Sequence, residues 1–108
     1  MANAEHILDA LGNGTRRAVL RRLQHGARSV REIAEGLNVT RPAVSQHLRV
    51  LKAAGLVKDR AEGTRRLYSV DRQGLEAVRR WIDGVWDEAL AAFAEAAEQE
   101  ADKEIRGQ

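Results

Sequence analysis

Apolar positions recur every three or four residues over most of the chain, the period of an α-helix. Ile7, Leu8 and Leu11 mark a short amphipathic helix over residues 4–11, and Gly12-Asn13-Gly14 interrupts it. Thr15 is placed to open a second helix reaching about His25. That helix turns Val19, Leu20 and Leu23 inward and Arg16, Arg17, Arg21 and Arg22 outward, and Gly26 ends it. Ser29 followed three residues later by Glu32 has the spacing of a capping box. Val30, Ile33, Ala34 and Leu37 then form the inner face of a third, short helix. A tight turn follows over residues 36–39, where Asn38 tolerates positive φ. Thr40 caps a fourth helix that runs to about Ala53. Pro42 sits in its first turn, where backbone N–H groups lack helical partners in any case.

The period then changes. Residues 56–61 and 65–70 read as two strands around the Gly-containing loop Glu62-Gly63-Thr64. Arg66, Tyr68 and Val70 share one face of the second strand. From about Asp71 a long helix continues to about Gln99, and residues 101–108 read as a frayed acidic tail. The expected fold class is mainly α with a small β-hairpin, in the order α-α-α-α-β-β-α. It forms one domain over residues 1–100, with the last helix at about 72–99.

Composition narrows the chemistry. The 108 residues include no Cys, which excludes thiolate metal sites, disulfides and cysteine nucleophiles. The formal net charge is only +2, but it is unevenly spread. Residues 1–73 hold 14 Lys and Arg against 7 Asp and Glu, and residues 74–108 hold 4 against 9. A basic body suggests a polyanionic partner, and an acidic flank suggests a separate task. No apolar stretch approaches the ~20 residues of a membrane helix. The first residues lack the basic-then-apolar pattern of an export signal. A cytoplasmic protein with no membrane partner is the expectation.

Two short helices joined by a tight turn form a helix-turn-helix. On a wheel of about 100° per residue, Val44, Leu48 and Leu51 fall on one stripe of the fourth helix. Arg41, Pro42, Ser45, Gln46, Arg49 and Lys52 fall opposite, with Thr40 just ahead of the helix. In a major groove, Arg pairs with guanine, Gln with adenine, and Ser with either. An ordinary solvated helix face is the plain alternative. The hairpin carries Lys58, Arg60, Arg65 and Arg66 against Asp59 and Glu62. Cations on a thin exposed loop suit the phosphate backbone or the minor groove, and they also protect edge strands from aggregation.

The run Ser29-Val30-Arg31-Glu32-Ile33-Ala34, the segment from Val39 to Val57, the opening Leu8 to Arg17 and the hairpin Glu62 to Tyr68 together resemble the ArsR/SmtB family of winged-helix bacterial transcription regulators. The resemblance covers about residues 5–95. It implies a homodimer that binds double-stranded operator DNA, usually as a repressor released by a signal. It places recognition-helix contacts at Arg41, Ser45 and Gln46, with His47 as a further position. His47 lies about 60° from the apolar stripe on the wheel, which also suits a packed histidine. The family's metal-sensing cysteines correspond here to Ser29, Arg31 and Ala34, none of them a thiolate. No His lies between residues 48 and 108, so the family's second metal site lacks its histidines. No cofactor is expected. His6 with Asp9 is the remaining candidate for a nickel or zinc ion bound through N and O ligands.

On the last helix Leu75, Val78, Ile82, Val85, Ala89 and Phe93 recur at helical spacing, widened by Trp81, Trp86 and Leu90. About 26 residues of helix span roughly 39 Å, more than this small body covers alone, so a second copy is the expected partner. Ile7, Leu8 and Leu11 of the first helix are expected to join that interface. The acidic flank would then face away from DNA. A winged-helix adaptor for other proteins is the alternative function. So is a version responsive to a nickel or zinc ion, or to an unidentified small-molecule or protein effector. No phosphate-binding Gly loop or His–carboxylate–nucleophile set points to an enzyme.

Overall fold

The computed structural model describes residues 4–106. Five helices and one hairpin follow in chain order: α1 (Ala4–Leu11), α2 (Gly14–Arg22), α3 (Val30–Leu37), α4 (Arg41–Ala53), β1 (Val57–Glu62), β2 (Arg65–Val70) and α5 (Arg72–Arg106). The chain divides between Val78 and Arg79 into two compact units.

Local chemistry sets most boundaries. The α2 helix is opened by Asn13, not Thr15, because the Asn13 side chain accepts the Arg16 N–H at 3.0 Å. It ends at Arg22, short of the expected His25. There the chain tightens into three-residue backbone bonds, such as Gln24 N–H to Arg21 C=O at 3.2 Å, and swings away at Gly26 with φ 139°. The capping box of α3 forms as its spacing predicts. Ser29 Oγ accepts from Glu32 N–H at 3.2 Å, and Glu32 Oε1 accepts from Ser29 N–H at 3.1 Å. Asn38 takes the left-handed conformation, φ 54°. Thr40 Oγ1 accepts the Ala43 N–H at 3.3 Å and starts α4.

The strands pair antiparallel from Val57↔Val70 to Glu62↔Arg65, which leaves Gly63 and Thr64 as the loop. Gly63 has φ 61°. A feature the periodicity did not show is a single-residue bridge between Arg28 and Tyr68, with reciprocal backbone bonds of 2.9 and 2.8 Å. It joins the segment before α3 to β2. At the start of α5, Gly74 lies so close to the Gly55 carbonyl that a side-chain carbon there would collide with it. Nearby, Asp71 N–H donates to Leu56 C=O at 2.8 Å.

In the unit ending at Val78, Ile33, Val44, Leu48, Leu51 and Leu56 are almost wholly buried. The inward stripe read on α4 is therefore the part of that helix in the core. Ile7 is buried there too, at 0% exposure. This corrects its place in the expected dimer interface, because it has no surface to offer a second copy; Leu8 and Leu11 stay half-buried. Arg16 and Arg17 are also not simply outward. Their guanidiniums donate to the Ala10 and Leu11 carbonyls, both at 2.7 Å, and so cap the C-terminal end of α1.

In the second unit, α5 remains helical through Arg106, past its expected end at Gln99. Ala and Glu are strong helix formers, which suits that continuation. Gly107 and Gln108 of the expected tail lie outside the described residues. Every residue from Arg79 to Ile105 is exposed. No helix among the described residues is long and apolar enough to cross a membrane.

Candidate nucleic-acid interface

The α4 helix places its side chains as two opposed sets. Val44, Leu48 and Leu51 lock one side into the core, so the other side is held rigidly. Along this helix Thr40, Arg41, Pro42, Gln46, Arg49 and Lys52 are exposed, while Ser45 and His47 are half-buried. The Thr40 cap and Pro42 define where the helix starts, and hence where Arg41 projects.

The sequence could not show how the cations are paired. Lys52 Nζ lies 2.6 Å from Asp59 Oδ1, and Arg66 lies 2.6 Å from Asp59 Oδ2. Arg65 lies 3.5 Å from Glu32, Arg60 lies 3.3 Å from Glu62, and Arg31 lies 3.0 Å from Glu35. By contrast, Arg41, Arg49 and Lys58 have no ion-pair partner among the described residues. Full charge therefore stands on α4 itself and at Lys58, whereas most hairpin cations are partly neutralised.

Two carboxylates respond to these pairings. The side-chain hydrogen bonds from Lys52 and Arg66 hold the Asp59 carboxyl below its usual range, against the opposing effect of burial. Glu32 is also held low, first by its hydrogen bonds with Ser29 and then by the charges of Arg65 and Arg28. Between α3, the N-terminus of α4 and β2 lies an open hollow of about 660 Å³. Ser29, Glu32, Arg41, Arg65 and Tyr68 are among its walls. Arg22 crosses the backbone at Gly36, where even a methyl group would collide with its guanidinium, and donates to the Glu32 carbonyl at 3.3 Å.

The positions that the resemblance gives to metal-sensing cysteines hold side chains with other contacts. Ser29 is committed to the capping box, Arg31 to Glu35, and Ala34 is buried. His6 and Asp9 are exposed beside a hollow of about 310 Å³. Among the described residues no cluster of three or more metal-ligating side chains includes them.

Comparison with known proteins agrees with this arrangement. A family profile described as a helix-turn-helix domain matches residues 11–60. The chain is 53% identical over 93 residues to the HTH-type transcriptional regulator Rv2034 of Mycobacterium tuberculosis, covering 86% of this chain and 87% of that protein. It is 31% identical over 77 residues to the transcriptional repressor SdpR of Bacillus subtilis, covering 71% and 86%. Among solved structures, an ArsR-like transcriptional regulator from Rhodococcus superposes with a TM-score of 0.73 at 31% identity, covering 87% of this chain and 92% of that one. A homodimeric winged helix-turn-helix DNA-binding domain from Mycobacterium bovis superposes with a TM-score of 0.64 at 33% identity, covering 78% of each. With α3 and α4 as the helix-turn-helix and β1–β2 as the wing, the chain belongs to the ArsR/SmtB-type winged helix-turn-helix transcriptional regulators, a DNA-binding family.

Proposed function

We propose that the protein acts as a homodimer that reads a near-palindromic operator, with α4 in the major groove and the β1–β2 wing along the adjoining backbone. The observation that carries this reading is that Arg41, Gln46 and Arg49 are exposed on a helix fixed in the core by Val44, Leu48 and Leu51. Arg and Gln are the side chains best suited to guanine and adenine edges. The two arginines have no carboxylate partner among the described residues to compete with DNA. The dimer is supported by the exposed stripe Ile82, Val85, Trp86, Leu90 and Phe93, and by the homodimeric M. bovis domain. A twofold pair would set its α4 helices ~34–36 Å apart, one turn of DNA. Repression is the expected sign, since relatives such as SdpR are named repressors. The cytoplasm, where operator DNA is accessible, is the expected location.

The test is binding to duplexes from the protein's own upstream region, by gel shift at low salt. Gln46→Ala should lose ~1–3 kcal/mol on the cognate duplex and relax base preference at one position in each half-site, while random duplexes bind as before. Sedimentation equilibrium should give a dimer. Absence of any shift at low salt would favour the adaptor reading instead.

A further inference from the structure

We propose that Asp59 is a positioning residue for DNA recognition: it braces the wing against α4 and withdraws Lys52 and Arg66 from the set of cations that contact phosphate. This inference rests on the DNA-binding reading above.

Three elements meet at Asp59. Lys52 stands in the last turn of α4, Asp59 on β1 and Arg66 on β2. Each carboxylate oxygen takes one cation at 2.6 Å, and the Asp59 side chain is only 8% exposed. Asp59 lies opposite Tyr68, so Arg66 is its diagonal neighbour on the same face, the geometry in which a long side chain reaches across a strand pair. The depressed titration of Asp59 agrees with a carboxylate kept charged by two donors.

The wing needs such a brace. It is a two-stranded sheet, and a hairpin of that size has little stability by itself. Residues 60–66 are all exposed, so nothing packs its outer half into the core. Buried Leu67 and the Arg28–Tyr68 bridge anchor β2 at the level of Asp59, and the Arg65–Glu32 pair reaches α3. The Lys52–Asp59 pair ties β1 to the helix proposed to read the bases, and the Asp59–Arg66 pair carries that tie across to β2. If they set the angle between α4 and the wing, both reach DNA in one register.

This reading predicts an effect opposite in sign to that of simple charge. An acid beside a polyanion opposes binding, so its removal should strengthen binding to every duplex. Positioning predicts that Asp59→Asn weakens the specific complex. The probes are a duplex that the wild-type full-length protein enriches from a random pool, and a scrambled duplex of the same length, titrated by fluorescence anisotropy across a salt series. Asp59→Asn should lose roughly tenfold or more on the enriched duplex and bind the scrambled one at least as tightly, since Lys52 and Arg66 are released to phosphate. The Lys52→Gln, Arg66→Gln double variant removes the same brace through exposed side chains. It should show the same selective loss with an unchanged salt slope, and Asp59→Asn added to it should cost nothing more. Lys58→Gln, at a hairpin cation with no ion-pair partner among the described residues, should instead lower the slope by about 1.

Tighter binding of Asp59→Asn to both duplexes, or a lowered slope in the double variant, overturns the inference while leaving the DNA-binding reading intact. A wild-type protein that enriches no sequence and binds no duplex at low salt overturns both.

Discussion

Leu48 on α4 and Ile82 on α5 are aliphatic side chains of the same size on regular helices, yet the first is 1% exposed and the second 50%. The difference lies in what surrounds them. Before Val78 the chain supplies enough elements to cover each apolar stripe from several sides. After Arg79 it supplies one helix, on which Trp81, Trp86, Leu90 and Phe93 stand open to solvent in the single chain. Helices in proteins owe most of their stability to packing of an apolar face. The first region therefore meets that requirement within one chain, whereas the second meets it through the proposed second copy.

The largest expected effect separates these two kinds of burial. Leu48→Ala should cost about 2–5 kcal/mol in urea unfolding, and by a similar amount at every protein concentration. Ile82→Ala should destabilise in a concentration-dependent way, with its cost vanishing once the dimer has dissociated. A cost for Ile82→Ala that does not change on hundredfold dilution would mean that the stripe is covered within the chain.

A smaller effect sharpens how the first region is held. Ser29→Ala should cost about 1 kcal/mol by removing half of the α3 capping box, read as a lower thermal midpoint. Glu32→Ala should add less than a second full increment in the double variant, because the two side chains cap each other.

The smallest effect is spread over pH. Asp59 and Glu32 titrate below their ordinary range when folded. The stability they contribute is thus fully present above their unfolded values, near neutrality, and is lost as pH falls through their folded values. Urea titrations between neutral pH and the acid range should show a shallower decline for Asp59→Asn than for the wild type. An identical decline would mean that the Lys52 and Arg66 pairs add nothing to folding.

How much was legible in the sequence depended on range. The boundaries of α4, the Ser29–Glu32 capping box and the turn at Asn38 follow from residues within four positions of one another, and all stand as read. The start of α2 falls at Asn13 and not at the expected Thr15 because both residue types can cap a helix, and the course of the chain through the preceding turn selects between them. The Arg28–Tyr68 bridge joins residues 40 positions apart in sequence through a single pair, too little to leave a periodic trace. On α4, the buried stripe of Val44, Leu48 and Leu51 was visible from the wheel. The pairing of Lys52 and Arg66 with one aspartate was not, since it depends on the register of β1 against β2 and on where α4 ends.

The order and type of the elements, the family, and the divided charge of a basic body and an acidic last helix can all be read from the residues alone. Each of these is written in local spacing or in composition. The folded chain adds that Ile7 belongs to the core, that Arg16 and Arg17 cap α1, and that Asp59 gathers two of the basic side chains. Those outcomes depend on which surfaces of distant segments meet, and a one-dimensional pattern gives the faces of a helix without saying what lies against them.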